Sequence, residues 1–330
     1  MIVRIKKIIA ALLAILILSG IFTRVSALED NAATVAKEQE AIDRMVCGFE
    51  QFEESIDLSD LNIPVSSLSM LFSHATKNSP YLFYVDKRLT YTYRKDSVVD
   101  IIPKYNMTRD EAAEAIAFCK GEIGKMATVV KRGESELERV ILAHDLICSR
   151  FGYDLSLESN NIYKFIKEGK GTCQGYTMTY MALLCELEIE CEYVASDTVE
   201  HIWLRVRIDG EWYNTDATWD DPVGSENVSR RHMLFSDARA EKDGYVDRYS
   251  LSDNSCVSNK YDGGDLSAVV DSNHMVGDGD HSGCVGLFDL VVILQNKGSC
   301  PICADVDADF VLAENDIDAL RELILTNTHE

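Results

Sequence analysis

Apolar residues recur at helical spacing in some stretches of the chain and alternate with polar ones in others. Between Ala33 and Ser55 they follow the period of an amphipathic helix, and Pro64 stands where a proline opens a second short helix. The aromatic and β-branched run from Tyr81 to Tyr105 predicts two or three strands. This part of the chain is therefore expected to combine helices with a small sheet.

Further along, two helices begin with a capping signature. Thr108 is followed by Glu111, and Ser135 by Glu138, which is the spacing at which a hydroxyl and a carboxylate satisfy the first amides of a helix. A short helix is expected over residues 162–168, because the sequence GKG that follows interrupts the pattern.

The stretch from Gly171 to Leu187 reads GTCQGYTMTYMALLCEL and places Cys173 at the start of an amphipathic helix. Two segments of alternating polarity follow, ECEYVASD and HIWLRVRIDGEWYNTDATWDDP. The second contains Asp209-Gly210, a dipeptide typical of two-residue hairpins. We therefore predict an α+β fold in which a cysteine-bearing helix packs on an antiparallel sheet.

Composition and charge restrict the functional classes. The 330 residues include 55 acidic and 32 basic side chains, which gives a formal net charge of -23. Such an excess repels phosphate backbones and anionic membrane surfaces, so we expect no nucleic-acid partner. The acidic side chains are suited to binding a hard cation through oxygen.

The first residues have the pattern of an export signal. Basic residues at positions 4, 6 and 7 precede an apolar run from Ile8 to Phe22, and Val25-Ser26-Ala27 offers small residues for cleavage before Leu28. A permanent anchor is the alternative, but the run is short for a membrane span. The prediction is a signal peptide over residues 1–27 and a secreted protein, extracellular or in a cell-surface complex, without a stable membrane span after cleavage.

The ten cysteines show no framework of a small disulfide-rich scaffold. Four of them lie among apolar residues on helical patterns and are expected to be buried small hydrophobes: Cys47, Cys119, Cys148 and Cys185. Secretion into a reducing, anaerobic setting would explain many free thiols. In Cys300-Pro301-Ile302-Cys303, a local disulfide or a pairing with Cys284 is favoured over a redox motif, because no thioredoxin-like unit surrounds it.

Cys173 differs from the other cysteines in its sequence context. A helix amino terminus and a nearby imidazole both favour a thiolate, and the flanking glycines would leave room for a substrate backbone. His201 opens the first strand of the hairpin, and Asp216 lies on the neighbouring strand. Adjacent antiparallel strands would place His201 and Asp216 side by side. A structural role for the cysteine remains the alternative.

The motifs GTCQGY at 171–176, HIW at 201–203 and WYNTDATWDDP at 212–222 together closely resemble the bacterial transglutaminase-like, papain-like core. The close resemblance spans Leu137 to Pro222, and a looser one extends from Ala33 to Asp237. It implies that Cys173 is the nucleophile, His201 the general base and acid, and Asp216 the group that orients the histidine.

The resemblance also implies acyl chemistry on a protein or peptide substrate. Cys173 would form a thioester, which water or an amine would resolve, and the Cys173 amide would be the first oxyanion donor. Catalysis would need no cofactor. Tyr176, Trp203 and Trp219 would line the cleft or simply pack in the core. The alternatives are a non-catalytic module of the same fold that binds protein or glycan, or an accessory of polysaccharide degradation; no carboxylate pair indicates a glycosidase.

Two acidic segments near the carboxyl end follow the twelve-residue pattern of calcium loops, DGDHSGCVGLFD at 278–289 and DVDADFVLAEND at 305–316. An apolar helical segment follows each, Leu290 to Leu294 after the first and Ile317 to Leu325 after the second. The predicted ligands of the first loop are Asp278, Asp280, Ser282, the Cys284 carbonyl and Asp289. Those of the second are Asp305, Asp307, Asp309, the Val311 carbonyl and Asp316.

This duplicated loop and helix resembles a dockerin, the calcium-dependent module that binds cohesin domains of a scaffold protein. The resemblance implies an all-α calcium module and attachment to a cohesin-bearing complex such as a cellulosome. Phe310 departs from the family pattern, because it stands where the second loop should have glycine. The predicted organisation is a signal peptide (1–27), a catalytic domain with an amino-terminal helical and strand extension (28–250), a linker (251–275) and a dockerin-like domain (276–330).

Overall fold

The computed structural model describes residues 33–157, 159–221, 229–250, 254–263, 266, 269–270, 290, 294, 306 and 314–327. The predicted signal peptide, the first predicted calcium loop, most of the second and the Cys300–Cys303 motif lie outside the described residues. No helix within those ranges is long and apolar enough to cross a membrane.

The described residues form two compact units. The first comprises the residues up to Thr76 and Val85–Asn106. It contains a helix over residues 33–50 and a three-stranded antiparallel sheet, which confirms two of the strands expected between Tyr81 and Tyr105. Its elements are α1 (33–50), β1 (Ile56–Asp57), α2 (Val65–Lys77, whose last residue lies in the second unit), β2 (Tyr91–Arg94) and β3 (Ser97–Ile101).

The second unit comprises Lys77–Tyr84 and the residues from Met107 onward. The predicted caps are present: Thr108 and Glu111 form a capping box, and the Ser135 side chain accepts a hydrogen bond from the Glu138 amide. Its described helices of four or more residues are α3 (Arg109–Val130), α4 (Glu136–Arg150), α5 (Ile162–Glu168), α6 (Cys173–Glu186), α7 (Asp237–Lys242) and α8 (Glu314–Asn327).

The main sheet of this unit has four antiparallel strands in the order β8-β7-β6-β9. The hairpin between β7 and β8 turns at Asp209 and Gly210, whose φ angles of 51° and 86° match the predicted turn. Two short strands, β4 and β5, pair in parallel beside α6. The strands are β4 (Gly152–Tyr153), β5 (Lys170–Gly171), β6 (Cys191–Ser196), β7 (His201–Ile208), β8 (Glu211–Thr215) and β9 (Tyr249–Ser250).

Each face of the sheet is covered. Successive side chains of a strand point to opposite faces, so Leu204 packs in the core that includes α6, whereas Trp203 packs with Phe235 and Tyr245 on the other side. Burial of each large apolar side chain contributes about 1.5–3 kcal/mol to stability. The prediction of a mixed fold with a cysteine-bearing helix on an antiparallel sheet is confirmed.

The burial of the cysteines was predicted only in part. Cys119 and Cys148 are buried as expected, but Cys47 and Cys185 are exposed, so the prediction was wrong for both. Helical periodicity gives the spacing of an apolar stripe; the packing of the neighbouring elements decides which stripe residues face the core. Cys47 lies on the solvent side of α1, and Cys185 lies in the last turn of α6.

Candidate active site

Cys173 is the first residue of α6 and its thiol is partly exposed. Thr172 caps the helix in an extended conformation, and its carbonyl accepts hydrogen bonds from the amides of Gly175 and Tyr176 at 2.8 and 3.2 Å. The first amides of a helix have no acceptor within it and carry the positive end of the helix dipole. The position of Cys173 therefore favours negative charge on the sulfur and on an oxygen bound beside it.

The glycines on either side of Cys173 have a different role from the one expected. A Cβ atom on Gly171 or on Gly175 would lie 2.5 Å from Cδ2 of Phe165. The space that these glycines leave is thus filled by an aromatic ring of α5, not kept for a substrate. The glycines allow α5 and the start of α6 to approach each other closely, which fixes the backbone around the thiol.

His201 is in contact with both other residues of the predicted set. Its Nε2 atom lies 2.7 Å from Oδ2 of Asp216, and its ring forms a hydrogen bond with the Cys173 side chain. Because Nε2 faces the carboxylate, Nδ1 is the nitrogen that remains for the thiol. The sheet register pairs Leu204 with Thr215, so Asp216 follows the end of β8 and reaches His201 diagonally. The three residues come together, although not by direct cross-strand pairing.

Asp216 is held by groups outside the recognised motif as well as within it. The Tyr245 hydroxyl donates to Oδ2 at 2.8 Å, and the amides of Thr218 and Trp219 donate to Oδ1 at 3.0 and 3.3 Å. The sequence did not reveal Tyr245, because it lies 29 residues after Asp216 with no pattern linking them. These bonds fix the carboxylate that orients the His201 ring.

The local charges favour a protonated His201. Burial by itself disfavours the imidazolium, but the Asp216 carboxylate and the contact with Cys173 outweigh it and raise the pKa of His201 to about 10. At neutral pH the ring is therefore an imidazolium beside the thiol, which is the arrangement that stabilises a thiolate.

The three aromatic residues expected near the cleft have different environments. Trp219 is 36% exposed and stacks on the His201 ring, with centroids 4.9 Å apart and planes 16° from parallel. Trp203 and Tyr176 are buried, so core packing is the correct reading for both. Trp219 is thus the one of the three that can touch a bound substrate.

One more buried polar group interacts electrostatically with Cys173. Tyr193, on β6, is 2% exposed, and its hydroxyl has no hydrogen-bond partner in the described part of the chain. Burial raises the pKa of Tyr193, and the nearby Tyr249 and Cys173 raise it further. A buried hydroxyl without a hydrogen-bond partner costs free energy, so this hydroxyl is suited to donate a hydrogen bond to a bound ligand. Nothing in the sequence pattern identified it.

A second cysteine, histidine and aspartate are grouped beneath the first set. His144 of α4 is fully buried, with Nδ1 3.1 Å from Oδ1 of Asp145 and Nε2 3.3 Å from Oδ2 of Asp220. Cys148 lies one turn later, with its sulfur 3.9 Å from Nε2 of His144 and 3.4 Å from the Ala217 carbonyl oxygen. These contacts attach α4 to the segment that carries Asp216 and Trp219.

The charges of this second group favour a structural role. Burial opposes the imidazolium of His144, but Cys148 and the two carboxylates outweigh it and hold its pKa well above the usual value. Burial raises the pKa of the Cys148 thiol to about 11. Despite its burial, Asp220 has a pKa well below its usual range, because His144 and His232 donate hydrogen bonds to it. Asp145 also forms an ion pair with Arg230.

In the acidic tail the structure describes one of the ten predicted calcium ligands, Asp316. Its carboxylate is 2% exposed and accepts a hydrogen bond from the Val306 amide at 2.8 Å. Asp316 is the last position of the second predicted loop and Val306 is the second, so the loop's end reaches back to its start. The helix expected over Ile317–Leu325 is confirmed by α8. Among the described residues, no three or more His, Cys, Asp or Glu side chains are arranged so that they could hold a metal ion.

One protein-family model matches part of the chain. Residues 124–217 match the model of the transglutaminase-like superfamily. This transglutaminase-like region contains Cys173, His201 and Asp216. No curated protein matches the chain.

Two solved structures match part of the chain at low similarity. A crystal structure described as that of a TGase is 13% identical, with 40% of this chain and 44% of that chain covered and a TM-score of 0.27. A "Putative Cysteine Protease from Cytophaga hutchinsonii" is 15% identical, with 40% of this chain and 61% of that chain covered and a TM-score of 0.26. The chain thus spans less than two thirds of either protein.

Proposed function

We propose that the protein is a cysteine acyl-transfer enzyme, a peptidase or amidase or a transglutaminase, that acts on an amide or ester carbonyl of a protein or peptide. The observation that carries the proposal is the position of His201, which touches the Cys173 thiol on one side and lies 2.7 Å from Asp216 on the other. The transglutaminase-like match over residues 124–217 supports the same assignment.

In the proposed reaction the Cys173 thiolate attacks the carbonyl carbon of the substrate. The negative charge that develops on the carbonyl oxygen is stabilised by the Cys173 amide and, as the second donor, by the Tyr193 hydroxyl. The His201 imidazolium then gives its proton to the departing amine, and a thioester remains on Cys173. Water or an amine attacks the thioester, His201 takes up the proton, and the thiolate is released.

Hydrolysis is the favoured outcome of the second step. Trp219, which covers the His201 ring, is itself 36% exposed, so water can approach the proposed thioester. Transamidation requires an acceptor amine to compete with that water. The alternative function is a non-catalytic module that binds a protein or glycan in the same cleft, or an accessory of polysaccharide degradation.

The test is capture of the acyl-enzyme. The full chain is mixed with a p-nitrophenyl ester of a short acyl peptide, quenched in acid, digested and mapped by mass spectrometry. The proposal expects the acyl group on the Cys173 peptide, and transfer to added glycine ethyl ester measures the share of transamidation. The Cys173→Ala variant is the control, and turnover that persists in it would refute the assignment.

The mapping must resolve individual cysteines. A hydrogen bond from Cys191 lowers the pKa of Cys185 to about 7, so Cys185 also reacts with thiol reagents near neutral pH. Total thiol reactivity would therefore report two sites. Retention of acyl transfer in Cys185→Ser separates the proposed nucleophile from this second thiol.

We further propose that the enzyme is secreted and that its acidic tail is a calcium-dependent dockerin-like module that binds a cohesin of an extracellular scaffold. The supporting observations are the basic and apolar leader, the repeated loop pattern, and the Asp316 carboxylate turned back toward the start of its loop. Calcium would cross-link each loop through the carboxylates and carbonyls named above.

Calorimetric titration of the full chain with Ca²⁺ tests this second proposal. Two binding events are expected, and Asp278→Ala and Asp305→Ala should each remove one. Acyl transfer should be unaffected in both variants. A chain that binds no Ca²⁺, or binds it equally well in both variants, would contradict the assignment of the loops.

A further inference from the structure

Two cysteines meet at the end of α6 remote from the candidate nucleophile. Cys185 lies in the last turn of the helix, about 18 Å along it from Cys173 at 1.5 Å per residue, and Cys191 is the first residue of β6. Their side chains form a hydrogen bond with each other. Cys185 is exposed and Cys191 is half-buried, so a small reagent in solution can reach the pair.

The backbone between them is fixed on both sides. The Glu188 amide donates to the Cys185 carbonyl at 3.0 Å, and the Ile189 amide donates to the Leu184 carbonyl at 2.9 Å, which closes the end of the helix. On the other side, Cys191 is paired with Val206 in the sheet. The approach of the two sulfurs is therefore set by a closed helix end and a strand, both of which belong to the core of this unit.

The two thiols are unequal in their charges. Cys191 donates its hydrogen bond to Cys185 and lowers the pKa of Cys185 to about 7. The same contact, burial and the neighbouring carboxylates of Glu192 and Glu190 hold the pKa of Cys191 well above the usual value. Cys185, the more exposed of the two, is thus the thiol that ionises more readily, and Cys191 is the thiol held beside it. This asymmetry is typical of an attacking and a resolving cysteine.

We propose that Cys185 and Cys191 form a thiol–disulfide exchange site that closes to an intramolecular disulfide on reaction with a low-molecular-weight disulfide. The Cys185 thiolate attacks one sulfur of the small disulfide, forms a mixed disulfide and releases one small thiolate, which takes up a proton. Cys191 then loses its proton, attacks the Cys185 sulfur and displaces the second small thiol. Two protein thiols are oxidised, and one small disulfide is reduced to two thiols.

Closure of this bond would fasten the end of α6 to β6. The amino end of the same helix carries Cys173, and β6 pairs with β7, which begins at His201. The disulfide would thus join the helix that holds the candidate thiol to β6, the sheet neighbour of the strand that holds the candidate imidazole. The site does not depend on the acyl-transfer proposal, since its chemistry uses neither Cys173 nor His201.

The test is equilibration of the full chain with mixtures of reduced and oxidised glutathione. Samples are quenched in acid, blocked with N-ethylmaleimide, digested without reduction and mapped by mass spectrometry. The expected first product is a cross-linked peptide joining residues 185 and 191, two hydrogen atoms lighter than the reduced pair. Closure restricts the unfolded chain and so stabilises the fold, but the gain is small because the closed loop is short. The midpoint of thermal unfolding should rise by about 5 °C.

Single variants provide the controls. In Cys191→Ser, the Cys185–glutathione mixed disulfide should accumulate, because the resolving thiol is missing, and the midpoint of the pH dependence of Cys185 alkylation should rise from about 7. Cys47 is the matched exposed thiol and should react more slowly at pH 7. If residues 185 and 191 remain reduced while other cysteines oxidise, or if Cys191→Ser gives no mixed disulfide, the proposal is overturned.

Discussion

The described part of the chain contains two groups of cysteine, histidine and aspartate that differ in what surrounds them. Cys173, His201 and Asp216 lie at a helix start and a strand end with the sulfur partly exposed, whereas Cys148, His144 and Asp220 are buried. In both groups the carboxylate raises the pKa of the histidine. Residue type and even the charge on the ring are thus shared, and they do not distinguish a reactive group from a structural one.

The sulfur makes the difference. Cys148 lies in the last turn of α4, where burial raises its pKa to about 11 and no substrate can reach it. Cys173 occupies the first residue of α6, at the positive end of the helix dipole. His144 is also held by carboxylates at both ring nitrogens, so it has no nitrogen left for proton transfer. His201 keeps one nitrogen for the thiol.

Replacing each cysteine by alanine gives the sharpest test of this comparison. Cys173→Ala should reduce acyl transfer by at least about 10⁴-fold, because it removes the nucleophile, with little change in stability. Cys148→Ala should leave kcat within a few fold and lower the free energy of unfolding by about 1–2 kcal/mol, since it opens a small cavity. Steady-state kinetics and urea unfolding measure the activity and the stability of both variants. A large loss of kcat in Cys148→Ala would contradict a purely structural role for the second group.

Substitution of the two aspartates should likewise affect catalysis in one group and stability in the other. Asp216→Asn should reduce kcat by about 10³- to 10⁴-fold, because the neutral side chain orients and charges His201 poorly. Asp220→Asn should mainly affect folding, with a loss of about 3 kcal/mol, since it leaves the buried His144 short of one negative charge. Kinetics and denaturant unfolding of both variants test this expectation. Equal losses of kcat would show that both aspartates take part in catalysis.

Tyr193→Phe is expected to change activity without weakening the fold. Removal of the proposed second oxyanion donor should lower kcat by about 10²-fold and leave KM nearly unchanged. The hydroxyl has no hydrogen-bond partner in the described structure, so its loss should leave the thermal midpoint unchanged or raise it slightly. Tyr249→Phe is the matched control, because the hydroxyl of that neighbouring residue is bonded to Asp197 at 3.0 Å. A Tyr193→Phe variant with normal kcat would remove the residue from the mechanism.

The smallest expected effect is on the pH profile. The pKa of His201 is raised to about 10, so its contribution to stability is fully present below its unfolded pKa of about 6.5 and is lost as the pH rises through about 10. Activity should decline over the same alkaline range as the imidazolium is lost. In Asp216→Asn the alkaline limb should move down by about 1–3 pH units. Stopped-flow assays between pH 7 and 11, with circular dichroism to check the fold, measure this shift. An alkaline limb that stays unchanged in Asp216→Asn would argue against the pairing of His201 with Asp216.

Much of the fold was predictable because local chemistry specifies it. Thr108 and Glu111 form the expected cap, α5 covers the expected residues, and the Asp209-Gly210 turn joins the expected strands. The motifs around Cys173 and His201 also indicated which residues would meet. Patterns of this kind are short-range, so the sequence contains the whole signal.

Other features could not be predicted because they depend on contacts between distant segments. The space beside the glycines next to Cys173 is filled by Phe165, and the hydroxyl of Tyr245 reaches Asp216 across 29 residues. Cys185 was expected to be buried and is exposed beside Cys191. No periodicity specifies which atoms a folded chain brings together.

By itself, then, the sequence determined the helices, the hairpin and the three residues that form the first group, since propensity, capping and motif context act within a few residues. Only the tertiary structure decided which of two chemically equal groups has an accessible sulfur. The reason is that burial and hydrogen bonding set the charge and the accessibility of a thiol. Both arise from the packing of α4, α6 and the sheet.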